Sequence, residues 1–140
     1  MVRRAIGALA VAALLAACGG GGAAEDAPSL DYVVGRDVFT TCAACHGAEG
    51  TGGVGPALAT VLETFPACED HVEWINLGSE GWKETHGETY GAQDKPIAGA
   101  MPSFSTTFSE KEIRQVALYE RMRFGGADEA TEAVACGLGS

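Results

Sequence analysis

Five consecutive residues, Cys42-Ala43-Ala44-Cys45-His46, constrain this 140-residue chain more than any other feature. Two thiols separated by two residues, with an imidazole next in line, can together hold one flat macrocycle. Each sulfur adds across a vinyl group at the ring edge, and the His supplies an axial nitrogen to the metal at its centre. The pattern C-x-x-C-H reads as the attachment site of a c-type haem. The rival readings are a thioredoxin-like redox pair, which needs a βαβ setting, and half of a zinc site, which needs a second closely spaced ligand pair. The sequence offers neither.

The length suits one domain, and residues 1–17 stand apart from it. Arg3 and Arg4 precede a short apolar run, Ala5 to Ala17. That run is too short to span a bilayer comfortably and has the flanks of a secretory signal peptide. It closes on Leu15-Ala16-Ala17-Cys18, which resembles the lipobox of bacterial lipoprotein signal peptides. The resemblance implies that Cys18 is acylated and becomes the mature N-terminus, tethering the protein to the extracytoplasmic face of a bacterial membrane. Two or more acyl chains anchor stably where one does not. The alternative is ordinary cleavage nearby, with Cys18 left free. The Gly/Ala/acid stretch from Gly19 to Ser29 has no hydrophobic periodicity and reads as a flexible tether. The expected organisation is therefore a signal peptide over 1–17, a lipidated N-terminus and linker over 18–29, and one domain over 30–140.

Two cysteines then remain, Cys68 and Cys136. An exported protein meets an oxidising compartment in which they can pair. Closing a loop of about 70 residues is worth roughly 4 kcal/mol on the chain-entropy account. The alternative is two separate buried thiols. The formal charge of −10 becomes more negative without Arg3 and Arg4, about −12. Such acidity excludes nucleic acid as a partner, because binding phosphates requires basic patches. It fits either attraction to a basic face on a redox partner or simple solubility.

Strand signals are scarce and helical periodicity recurs. Leu30 to Thr41 reads as a short helix running into the cysteine motif, with Val34, Val38 and Phe39 at helical spacing. Gly35 inside it points to close approach of another backbone. Gly47 to Gly55 reads as a loop ending at Pro56, and Ala57 to Phe65 as a second short helix. Glu69 to Asn76 is a stronger helical candidate. The polar, Gly-interrupted stretch from Leu77 to Ala98 reads mostly as loop. Ser109-Glu110-Lys111-Glu112 forms a capping box ahead of Ile113, Val116, Ala117, Leu118, Tyr119 and Met122, and Gly125-Gly126 ends that helix.

With these elements in order, the chain resembles the class I, mono-haem c-type cytochromes over residues 30 to 125. The likeness rests on Cys42 to Gly47 after a helix carrying Gly35 and Phe39, on the run Gly50 to Leu58, and on Gly99-Ala100-Met101-Pro102 ahead of a helix containing Tyr119. It implies a small all-α fold of three to five helices around one covalently bound haem c. It also implies that Gly35 and Phe39 meet Tyr119, and that the Pro56 carbonyl accepts a hydrogen bond from the His46 ring. Met101 would be the sixth ligand of the iron, with Leu58 and Trp74 packing on the haem.

A thioether favours reduced iron and raises the potential, and Met101 lies on a Gly/Pro-flanked turn that can aim it inward. Met122 falls on the apolar side of the last helix and reads as core. His71 and His86 are the rivals for the sixth position. In the segment from Glu69 to Lys95, Trp74 or Trp82 could donate its indole N–H to a haem propionate or serve only as core. The acids Glu80, Glu84, Glu88 and Asp94, with Lys83 and Lys95 among them, read as a solvated face. The expected function is one-electron transfer by a monomer. A quinol-oxidising complex or a periplasmic dehydrogenase would be the donor and a terminal oxidase or reductase the acceptor. The alternative is a haem enzyme or ligand sensor with an open or His-ligated distal site.

Overall fold

Helix α1, Leu30–His46, begins where Ser29 caps it, its side-chain oxygen accepting from the Tyr32 N–H at 3.1 Å. The computed structural model describes residues 27–139. The expected signal peptide over 1–17, the lipidated Cys18 and most of the linker lie outside the described residues. Ser29, expected in the linker, belongs to the domain as a helix cap. Its backbone N–H also donates to Glu129 Oε1 at 3.1 Å.

The first helix runs past the expected end at Thr41 and carries the whole cysteine motif. Ala43 and Ala44 favour helix, and Gly47, with φ 79°, stops it. Its partner is α4, Glu110–Arg123, which opens on the expected capping box with both reciprocal hydrogen bonds formed. The two helices cross at Gly35. A Cβ there would lie 2.0 Å from the Gln115 carbonyl oxygen and 2.9 Å from Tyr119 Cβ, so only glycine fits. Around the crossing, Tyr119 packs on Tyr32 and Phe39, with ring centroids 5.1 and 5.4 Å away. Gln115 Nε2 donates to Asp31 Oδ1 at 2.6 Å. Ile113, Val116, Ala117 and Leu118 are fully buried behind this contact.

Helix α2 is a single turn, Val61–Thr64, shorter than the expected span from Ala57 to Phe65. The Leu58 N–H donates to the Gly50 carbonyl at 2.8 Å, which commits residues before Val61 to the glycine loop instead of a helix. Helix α3 runs Cys68–His86 and corrects the expected loop from Leu77 onward. It bends at Gly78, whose φ of 64° and ψ of −177° are not helical, and then resumes. Beyond it, β1 (Thr89–Tyr90) and β2 (Lys95–Pro96) pair antiparallel, Thr89 with Pro96 and Tyr90 with Lys95. Glycines at 78 and 81 weaken the helical pattern in the sequence, while burial of Trp82 and its 2.9 Å bond to the Thr89 carbonyl stabilise the second half.

A fifth helix, α5 (Glu129–Ala135), occupies the extension that the sequence left without an element. Cys68 and Cys136 are bonded, with Cα atoms 5.2 Å apart, tying the start of α3 to the end of α5. Arg121 forms a second tie. It is 2% exposed and donates to the Phe65 and Pro66 carbonyls at 2.6 and 3.1 Å and to the Glu132 carboxylate. A buried guanidinium needs this complete set of acceptors to offset its desolvation. Among the described residues, no helix is long and apolar enough to cross a membrane.

The Gly35 contact makes the helix crossing sensitive to a single methyl group. Gly35→Ala is expected to lower stability by about 3 kcal/mol or more through forced separation of α1 and α4. A urea titration of the haem-loaded protein, followed by helical circular dichroism, checks this against the wild-type midpoint.

Candidate functional site

Residues three and four apart on a helix share one face. On α1, that puts Cys42, Cys45 and His46 along one edge, and all three line a cavity of about 640 Å³. The glycine loop then closes against the helix end. Gly52 N–H donates to the His46 carbonyl at 2.8 Å, and Gly55 N–H donates to the Cys45 carbonyl at 2.9 Å. These bonds satisfy carbonyls that a helix terminus leaves without partners. A Cβ on Gly55 would lie 2.9 Å from His46 Cε1, so this loop can cradle the imidazole only with glycine there.

His46 Nδ1 lies 2.8 Å from the Pro56 carbonyl oxygen. A carbonyl only accepts, so Nδ1 carries the proton and Nε2 keeps its lone pair for a metal. A hydrogen bond of this kind also orients the ring and raises its basicity as a ligand.

Met101 lines the same cavity, on the segment that follows β2. It is half-buried and packs against both apolar clusters of the core. Its backbone is held in both directions by Ser79, which is 1% exposed. The Met101 N–H donates to Ser79 Oγ at 3.1 Å, and the Met101 carbonyl accepts from the Ser79 N–H at 2.9 Å. The bend at Gly78 frees that Ser79 N–H from the helix and lets the Met101 segment approach. A Cβ on Gly78 would lie 2.6 Å from the Met101 carbonyl oxygen.

The remaining candidates divide. Leu58 and Trp74 both line the cavity, and Trp74 stacks on Tyr90 with centroids 4.5 Å apart. His71 also lines it, but its Nε2 is 3.0 Å from Glu120 Oε2. His86 is not among the lining residues. It is exposed, pairs with Glu73 at 3.1 Å and packs on Trp82. Of the expected solvated acids, Glu80, Glu84, Glu88 and Asp94 are all exposed. Lys95 departs from that reading, since it lines the cavity and donates to Thr64 Oγ1 at 2.7 Å.

The electrostatics of the site follow burial. The Cys42 thiol is pushed up to about 12, first by desolvation and then by the neighbouring Glu120 carboxylate. Burial also raises Tyr90 on the cavity wall. Ser79, Glu120 and the His71–Glu120 contact were not found from the sequence. A lone Ser in a polar stretch and a Glu within an amphipathic helix carry no motif.

The sequence pattern of the family described as Cytochrome c matches residues 32–119, well over half of the chain. No curated protein matches it. The cofactor is haem c, covalently attached and carrying iron. The cavity residues suit that group. Two sulfurs lie on one helix face beside an imidazole whose lone pair is free, a thioether lines the same space, and the rest of the wall is mostly apolar.

Alkylation of the denatured but unreduced haem-loaded protein is expected to leave Cys42, Cys45, Cys68 and Cys136 all unmodified. Prior reduction should expose Cys68 and Cys136 alone, with the haem mass retained on the peptide carrying Cys42 and Cys45. Peptide mass spectrometry reads each outcome directly.

Proposed function

The chain belongs to the cytochrome c family, and from that premise we propose that it is an exported, membrane-tethered one-electron carrier whose haem is attached at Cys42 and Cys45 and ligated by His46 and Met101. The bound haem supplies a metal centre that gains and loses one electron. The chain's own residues keep that centre coordinated, dry and close to unchanged in shape. His46 is held by the Pro56 carbonyl and the Gly55 contact. Met101 is held through its backbone by Ser79, and Leu58 and Trp74 shield the cavity from water.

The observation that carries the His/Met reading is the pinning of the Met101 backbone on the cavity wall by Ser79. His71 Nε2 is occupied by Glu120, and His86 pairs with Glu73 outside the lining residues. A soft thioether opposite an imidazole raises the reduction potential. Two fixed axial ligands leave no site for a substrate, which favours a carrier over an enzyme or ligand sensor.

Electrons would pass at an exposed haem edge during brief encounters, which bury small interfaces. The formal charge of −10 favours partners with basic docking faces, on a quinol-oxidising complex or dehydrogenase as donor and a terminal oxidase as acceptor. The carrier would act as a monomer. Domains of this family generally work outside the cytoplasm. The Leu15-Ala16-Ala17-Cys18 run supports a lipid anchor at Cys18 on the outer side of a bacterial membrane.

The absorption spectrum of the oxidised protein tests the ligand set. The weak long-wavelength sulfur-to-iron band should be present. Met101→Ala should abolish it, keep the covalent haem, and lower the midpoint potential by on the order of 0.1 V or more, within the roughly 0.8 V range that axial ligands span. An unchanged potential would remove Met101 from the ligands. For the anchor, Cys18→Ser should move the protein from the membrane fraction to the soluble one with its spectrum unaltered.

A further inference from the structure

Among the ionisable side chains on the cavity wall that neither attachment nor ligation uses, two are paired. His71 comes from the first turns of α3 and Glu120 from the last turn of α4. They are 2% and 4% exposed, and Nε2 lies 3.0 Å from Oε2. Both line the cavity. Phe65 stacks flat on the imidazole, with centroids 5.1 Å apart and planes 5° from parallel. Nε2–H donates to the carboxylate. The other nitrogen, Nδ1, is buried and has no hydrogen-bond partner among the described residues.

The charge of this pair depends on one proton. With Nδ1 bare, the pair carries the full negative charge of Glu120. With Nδ1 protonated, it is a neutral ion pair. Neither state satisfies every buried atom, so the surroundings decide the balance.

Among the described residues, His71 is the partner that Glu120 pairs with. Arg121, next in sequence, is taken by the Phe65 and Pro66 carbonyls and by Glu132 of α5. From α1 the facing group is Cys42. On the cavity side are Tyr90, and Lys95 with its ammonium on Thr64. Glu69 and Asp70, beside His71 on α3, are exposed, and Glu69 is engaged by Arg114.

The iron changes its charge by one in each transfer, and charges interact strongly across a poorly solvated interior. We propose that His71 and Glu120 form a redox-linked proton site, which binds one proton as the haem is reduced and releases it as the haem is oxidised. The electron comes from the donor protein and the proton from solvent, and both leave on oxidation. The only bond made and broken is Nδ1–H of His71. Each turnover therefore carries an electron together with a proton. The proposal rests on haem filling this cavity.

The test is the midpoint potential of the full-length, haem-loaded protein, measured spectroelectrochemically from about pH 5 to 8, the range in which imidazoles titrate. The midpoint is expected to fall as pH rises, by up to tenfold in the reduction equilibrium per pH unit, about 59 mV. Glu120→Gln, and His71→Leu combined with Glu120→Leu, should flatten that slope and leave the axial-ligand spectrum intact. In the wild-type protein, nitrogen-15 signals of the His71 ring should titrate at higher pH in the reduced state than in the oxidised state. This measurement holds even where a variant does not fold. A flat wild-type midpoint, a slope that survives both changes, or a His71 titration identical in the two oxidation states would overturn the proposal. The survival of the slope would transfer the proton to the haem's own carboxylates. Loss of haem from the denatured protein would instead sink the covalent-site reading, a separate outcome scored by mass.

Discussion

The crossing of α1 and α4 at Gly35 is the contact on which the rest depends. It brings a helix backbone into direct contact with Gln115 and Tyr119. Because α1 also carries Cys42, Cys45 and His46, the crossing fixes the edge bearing them relative to the buried side of α4. The aromatic contacts of Tyr119 with Tyr32 and Phe39 add area around that point. Every other element packs against this pair or closes the cavity beside it.

The second half of the site is assembled by polar contacts in an otherwise apolar interior. Ser79 sets the backbone of Met101, and Gly78 makes room for it. Arg121 fixes the turn at Phe65 and Pro66, which in turn presents the Phe65 ring to His71. These are hydrogen bonds to charged or buried groups, each worth more than an average one and each costly to leave unmade. A site built this way has few alternative arrangements, which suits a metal centre that must change charge without changing shape.

Much of this was legible in the sequence. The cysteine motif, Gly35 with its aromatic neighbours, Pro56 and the capping box at Ser109 are local signals whose spacing survives folding unchanged. The second half of α3 was not legible. Its polar residues and two glycines read as loop, and its stability comes from burial of its own Trp82 and from that side chain's bond to the Thr89 carbonyl, which lies beyond the helix. The α5 helix was hidden for the same reason, since seven residues with no buried side chain are held by Arg121, Ser29 and the Cys68–Cys136 bond. The His71–Glu120 pair joins positions far apart in sequence, and neither residue lies in a recognisable pattern.

The helical setting of the cysteine motif has a stereochemical consequence. L-residues wind α1 right-handed, so Cys42, Cys45 and His46 follow one another around the axis in a single sense. The two vinyl-bearing edges of a haem are not equivalent, and its two faces are mirror images in outline. A ring bonded to both sulfurs in that order can turn only one of its faces toward the His46 imidazole. With haem attached at Cys42 and Cys45 as proposed, the chirality of the backbone would thereby be copied into the cofactor, and the opposite facial isomer would be excluded before any side chain packs against it.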